Sequence, residues 1–454
     1  MSLPPAVAVS ALYERLLQSS LRQFFGRAAL SLEAADAVST DGRFDVSLVE
    51  ASTLAIRWFG TRYTLRVPPR WPFTDHEVRF ARAIGAVLSA RYRAILHARI
   101  AAERGDLFRG AIEDRYVGAF LDPQFYALEP REARADRIAA VIELLRVAAL
   151  SSYENRLIST GVMLLGTAND PCRPGVAPRA WSPSYTESLT SIKSFYRLAD
   201  GVRTVFLATA AGRLLDIIDL ERWADTAGGN LPVQAPCAKT YEAHARATLQ
   251  HGHVCAVLSP SREIKIFAEG AQVFAFRGAG WHLLDLEAKY RLWADAVGND
   301  VLARRIFQTA LDLADVRDGA LFVVLRDPES SIGRLITPAD RLDVPPVVPA
   351  EPPEIPSRRD LLHLLEGRTA TELDPSVLSA LASLDGAIVV DSRGRLLAAG
   401  AILRHPPIDE EAYGESIEGA RTTAAVAASR FGPVLKVSED GIITFFDGQK
   451  IWDV

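Results

Sequence analysis

The chain has 454 residues, 49% of them hydrophobic and 24% charged, with a formal net charge of -5. That length suits two or three domains and supplies apolar material for more than one core. The mild acidity argues against a protein that coats nucleic acid through an extended basic surface, but not against a local basic pocket for a small phosphate ligand.

Cys172, Cys237 and Cys255 are the only cysteines. No two have zinc-ligand or redox spacing, and an odd number is a poor disulfide framework, so they read as thiols of a reducing cytoplasm. The start of the chain has no basic region followed by an apolar core, as a secretory signal would. The apolar runs, such as Ile138 to Leu150, fall short of the roughly 20 residues a membrane span needs. A soluble cytoplasmic protein without membrane contact is expected.

In chain order, the alternation from Leu54 to Val67 predicts a pair of strands. Thr74-Asp75-His76-Glu77 has the spacing of a capping box, and apolar residues at helical spacing follow from Val78 to Glu103. A second helix is predicted from Arg131 to Ala149. Leu157 to Leu165 then reads as a buried strand. Thr204 to Ala208 and Leu214 to Ile218 read as a hairpin around Gly212, and three short strands follow at Val254 to Leu258, Ile264 to Ala268 and Gln272 to Phe276.

The same order then returns. A helix at Val301 to Asp315 leads to a strand at Gly319 to Leu325. A hairpin follows, from Asp385 to Val390 and from Leu396 to Leu403. The closing strands are Val434 to Val437, Ile442 to Phe446 and Lys450 to Asp453. Ala199-Asp200-Gly201 faces Leu384-Asp385-Gly386, Ala245 to Thr248 faces Ala420 to Thr423, and Val257 to Ser259 faces Val437-Ser438. Agreement in order across several pieces predicts an internal repeat. The expected domains are residues 1–130, of unknown role, a first repeat unit at 131–290 and a second at 291–454. The second carries a proline-rich insertion at 338–357, too rich in proline for a helix or a central strand. The expected class is α/β: a mixed central sheet with flanking helices, duplicated, behind an N-terminal α+β or helical domain.

Three pieces of the second unit carry chemistry. Asp385-Gly386-Ala387 places a carboxylate at a strand edge, and the glycine removes bulk beside it. Gly419-Ala420-Arg421-Thr422-Thr423 opens a helix with small residues, one cation and two hydroxyls, a composition suited to an anion. Val437-Ser438-Glu439 adds a hydroxyl and an acid at a turn. Walker, dinucleotide-binding, zinc and nucleophile-elbow motifs are absent from the sequence.

The order of these pieces resembles the diadenylate cyclase domain, the nucleotide-binding domain of the bacterial DNA-integrity-scanning protein and its membrane-bound relatives. Leu361 to Leu381 is similar to the helical stretch that precedes Asp-Gly-Ala in that family. The resemblance implies a domain that joins two ATP molecules into cyclic di-AMP with magnesium or manganese, two such domains meeting face to face. It gives Asp385 the metal and the ribose hydroxyl, and Arg421 the phosphates. It implies a homo-oligomer or an intramolecular pseudo-dimer of the two repeat units.

The departures shape the expected function. Thr422 and Thr423 stand where the family has His and Arg, and Leu384 where it usually has His. Each lost charged hydrogen bond is worth about 1.5–3 kcal/mol. Two such losses amount to roughly two to four decades in affinity or rate. Arg404 and His405, after the hairpin, are the nearest candidates for a replacement charge. The first unit has eroded further, with Val202 after Asp200-Gly201 and His244 to Thr248 at the phosphate motif. The leading reading is a nucleotide sensor that binds ATP or a cyclic dinucleotide with little turnover. Its site comprises Asp385, Gly386, Ala387, Gly419, Arg421, Thr422, Thr423, Ser438 and Glu439. An active diadenylate cyclase with a variant motif and a structural pseudo-domain that serves assembly are the two alternatives.

Overall fold

The computed structural model describes residues 5–34, 43–127, 136–166, 182–191, 193–227, 233, 235–344, 362–404 and 419–454. These divide into two compact units. The first comprises residues 1–232 and 243–285, the second residues 233–242 and 286–454. Cys172, His405 and most of the proline-rich segment, from residue 345, lie outside the described residues.

The first unit opens with helix α1 (Pro5–Phe24) and an antiparallel sheet of β1 (Ala29–Ala34), β2 (Asp45–Glu50), β3 (Thr53–Trp58) and β4 (Thr61–Arg66), in the order β1-β4-β3-β2. Strands β3 and β4 are the predicted pair. Phe59 and Gly60 between them both have positive φ, as a two-residue hairpin turn requires. The predicted capping box starts α2 (Asp75–Leu96). Thr74 Oγ1 accepts from the Glu77 N–H, and the Glu77 carboxylate accepts from the Thr74 N–H. The helical run breaks at His97, and α3 (Ala98–Glu103), α4 (Ile112–Leu121) and α5 (Arg137–Ala149) follow.

A seven-stranded sheet completes this unit. After a small hairpin of β5 (Ser152–Tyr153) and β6 (Arg156–Leu157) come β7 (Thr160–Leu164), α6 (Tyr185–Ser191), β8 (Thr204–Ala208) and β9 (Leu214–Asp219). The chain continues through α7 (Leu220–Ala227), α8 (Glu242–Ala247), β10 (Val254–Leu258), β11 (Ile264–Ala268), β12 (Ala271–Arg277) and β13 (Gly280–Leu283). Residues on both sides of position 130 share one hydrophobic core, in which Phe80 and Phe120 pack on Phe274. Polar contacts cross the same seam. Trp281 Nε1 donates to Asp114 at 2.7 Å, and Arg79 meets Glu269 at 2.6 Å.

The second unit runs α9 (Leu286–Val297), α10 (Asp300–Val316), β14 (Ala320–Leu325), α11 (Pro328–Leu335), α12 (Pro375–Ala382), β15 (Ala387–Asp391), β16 (Leu396–Ala401), α13 (Ala420–Ala428), β17 (Val434–Val437), β18 (Ile443–Phe446) and β19 (Lys450–Asp453). Every residue of β14 is buried, as a strand covered on both faces must be. On one face Leu321, Val323 and Val389 pack with Ala425 and Val426 of α13. On the other, Trp293 of α9 and Phe307 of α10 meet Phe445 and Trp452.

The predicted repeat is present in the topology. The first sheet has the order β13-β12-β11-β10-β7-β8-β9 and the second β19-β18-β17-β14-β15-β16. In each, one strand pair is parallel, β7 with β8 and β14 with β15, and its antiparallel neighbours match. The matching even extends to a turn. The Ser259 N–H bonds the Glu263 carbonyl and the Ser438 N–H that of Ile442, each at 2.9 Å.

Of the helical stretch expected over Leu361 to Leu381, Leu361 lies outside the described residues; Leu362 is helical, His363–Leu365 form a 3-10 turn, and a helix returns at Pro375. Thr369 bridges to Arg395 beside β16, which holds the chain extended there. The Asp374 carboxylate then caps the Ser376 N–H, and Pro375 fits the first helical position, where no N–H is needed.

Candidate functional site

Register places the predicted residues of the second unit at one end of its sheet. Phe322 pairs with Ile388, so three residues back Gly319 falls beside Asp385. Ala320 pairs with Val437 on the other side, so Gly319 also falls beside Ser438. A hydrogen bond of 3.3 Å from Ser383 Oγ to the Asp318 carboxylate holds these ends together. Asp385 is exposed at this edge. Gly386 has φ +111, and a Cβ there would lie 2.4 Å from the Gly400 carbonyl carbon. Gly386 therefore serves the close passage of β15 against β16, and buried Ala387 begins the strand.

Arg421 reaches over the same edge. Its Nη1 lies 2.1 Å from where a Cβ on Gly319 would stand, so the glycine makes the seat for the guanidinium. Among the described residues its carboxylate partner is exposed Glu439, 3.6 Å from Nη1. Gly419, with φ +86, turns the chain into α13, and its carbonyl accepts the Thr422 and Thr423 N–H groups. The Thr423 hydroxyl donates to that carbonyl at 3.2 Å, so its proton points back into the helix and away from the sheet edge. Thr422 is different. Its Oγ1 accepts from Lys436 Nζ at 3.1 Å, and its own O–H remains a donor.

Lys436 is the residue that sequence reading missed. It pairs with Leu321, so it lies on the face that α13 covers, half-buried within the apolar strand β17. Burial holds its amine below the usual lysine range. Lys450 and Arg421 push the same way, while Asp440 and Asp453 oppose. The edge thus gathers two cations, one donor hydroxyl and the exposed carboxylates Asp385 and Glu439. Arg404 is exposed, its N–H bonded to the Leu335 carbonyl.

The register does not match the expected Asp200-Gly201 with Asp385-Gly386, and the first unit keeps its similar residues paired within its own fold. Leu258 pairs with Thr160 as Val437 pairs with Ala320, and Phe206 pairs with Val162 as Ile388 pairs with Phe322. In this frame Asp385 corresponds to Arg203, three residues before Phe206 as Asp385 is before Ile388. The Asp200-Gly201 pair sits earlier, in a turn of its own. Asp200 Oδ1 accepts the N–H groups of Val202, Arg203 and Thr204 at 2.8, 2.8 and 2.9 Å. Burial works against its charge, but these bonds prevail and hold the carboxyl below its usual range. The His244 imidazole contacts the Gly201 carbonyl at 2.9 Å, and burial pushes its pKa down to about 4. Arg246 is paired with Asp225 at 2.8 Å. Lys265 of β11, one strand across from the counterpart of Lys436, is buried against Glu263 at 3.3 Å.

The sequence matches no family model and no curated protein. Among solved structures it is similar to a hypothetical membrane-spanning protein from Bacillus cereus, at 20% identity over 36% of this chain and 71% of that one. The TM-score of 0.26 is too low to carry a fold or a function. Among the described residues no helix is long and apolar enough to cross a membrane, and no group of three or more His, Cys, Asp or Glu side chains is placed to hold a metal ion.

Proposed function

We propose that the second unit is a nucleotide-binding sensor of the diadenylate cyclase type, which binds ATP or a cyclic dinucleotide in the cytoplasm and turns it over little. The observation that supports this reading is the convergence of Asp385, Arg421, Thr422 and Ser438 on one sheet edge around Gly319. The phosphates meet Arg421 and the Thr422 hydroxyl, and Asp385 faces the sugar. Asp385 would supply one carboxylate to a divalent ion bound with the phosphates, since magnesium is commonly held by one or two carboxylates plus phosphate oxygens. The first unit serves as a scaffold, its aspartate and its two cations being paired within the fold.

A calorimetric screen of the full chain against ATP, cyclic di-AMP and related cyclic dinucleotides tests the reading. Saturable binding of one of them, lost on changing Arg421 and kept on changing Arg246, is the expected result. Absence of binding by every nucleotide would leave the structural pseudo-domain as the better account.

A further inference from the structure

We propose that Lys436 and Arg421 form a two-cation clamp for linked phosphate groups, with Lys436 the residue that sets the preference for a polyphosphate over a single phosphate. The inference rests on the nucleotide reading only for what carries the phosphates. The guanidinium and the ammonium come from different elements, one from α13 and one from β17, and both reach the same sheet edge. The ammonium has given up part of its hydration, and it faces Arg421 and Lys450, against Asp440 and Asp453. An anion with two charged groups in series can meet both cations at once. It also takes the donor proton of Thr422, which Lys436 holds in position.

The two sheets supply an internal comparison. In the first, Val257 stands in the place of Lys436, and the cations nearby sit against acids, Arg246 on Asp225 and, one strand across from Val257, Lys265 on Glu263. In the second, Lys436 is held by a hydroxyl, and the acid beside Arg421 is exposed and further away. The same sheet therefore carries two closer ion pairs in one copy and, in the other, an arginine at a longer distance from its acid and a lysine held by a hydroxyl.

The test is titration of the full chain with sodium tripolyphosphate, orthophosphate and magnesium ATP, comparing the parent with Lys436→Met and Lys436→Arg. The parent is expected to bind tripolyphosphate more tightly than orthophosphate. Lys436→Met should weaken tripolyphosphate binding by roughly ten- to a hundredfold, and Lys436→Arg should recover most of it. Should Lys436→Met fold poorly, acetylation of Lys436 in the parent, read by mass spectrometry, gives the second readout. Saturating tripolyphosphate should protect that amine. Equal binding by parent and Lys436→Met, acetylation indifferent to tripolyphosphate, or no binding of tripolyphosphate by the parent each overturns the clamp. If ATP binds and Lys436→Met does not weaken it, the nucleotide reading stands and the clamp fails. If tripolyphosphate binds through Lys436 and ATP binds no better, the clamp stands and the nucleotide reading fails.

Discussion

The guanidinium of Arg421 occupies space that only a glycine at 319 leaves open, which separates binding from stability at a single position. Gly319 has no backbone conformation that excludes alanine, and the atom a new Cβ would meet is the mobile end of a long side chain. Gly319→Ala should therefore leave the thermal midpoint nearly unchanged while displacing Arg421 and weakening nucleotide binding. Unfolding scans and titrations of the same preparation check both halves. Arg421→Ala should weaken binding by roughly ten- to a hundredfold, the loss of one charged hydrogen bond. Arg246→Ala should do much less, since its partner is Asp225. Should Arg246→Ala prove the more damaging, the site belongs to the first unit. Asp385 and Arg421 were legible because charged residues beside glycine at element ends stand out. Lys436 was not, because a lysine inside Val434-Leu435-Lys436-Val437 reads as the solvent side of an alternating strand. The helix that covers it is set by tertiary packing, which a local pattern does not contain.

At the scale of elements, legibility followed the strength of the local pattern. The apolar strands around both parallel pairs were placed within a few residues, and so was the start of α2. The outer strands β1 and β2 were missed because β2 buries one residue in six and shows no alternation. Helix α9 was missed although Leu286, Tyr290, Trp293 and Val297 line one buried face at helical spacing. The capping box gives a direct measurement. Glu77 both closes the box and takes the guanidinium of Arg27, with Nη2–O distances of 2.7 and 2.5 Å. Thr74→Ala removes only the cap, and should cost about 1 kcal/mol. Urea unfolding should show it as a lower midpoint with an unchanged slope. A loss several times larger would mean that Thr74 supports more than the helix start.

For the whole molecule, the pattern of repeated motifs foretold the duplicated topology, whereas the shared core of the N-terminal helices with the first large sheet had no local signal. That seam carries a titratable contact. His76 of α2 lies 3.4 Å from Asp285 and 3.7 Å from Glu269, which also holds Arg79. The nearby carboxylates, Asp285 first and then Glu269, raise the imidazole to about 9 against a burial penalty. The folded value exceeds the unfolded one, so the contribution is whole below about pH 6.5 and fades as pH rises through about 9. The stability of the parent should decline over that window more steeply than that of His76→Gln, as urea midpoints at several pH values would show. Parallel slopes would rule the contact out as a pH-dependent term. Turnover also belongs to this scale, since cyclase chemistry needs two loaded sites facing each other. With ATP and manganese the protein should make little or no cyclic di-AMP by chromatography. Output comparable to that of an active diadenylate cyclase would replace the sensor reading with the enzyme.

The pairing of Lys436 with Leu321 also makes the cation a matter of parity. Its neighbour Leu435 pairs with Phe322 and Phe445, on the side where Trp293, Phe307 and Trp452 gather. Side chains alternate along a strand, so sliding β17 by one residue would exchange these two faces. The ammonium would enter the aromatic side and a leucine would take its place under α13. Misregistered folding thus carries its own penalty, and the residue that equips the edge for an anion also proofreads the strand.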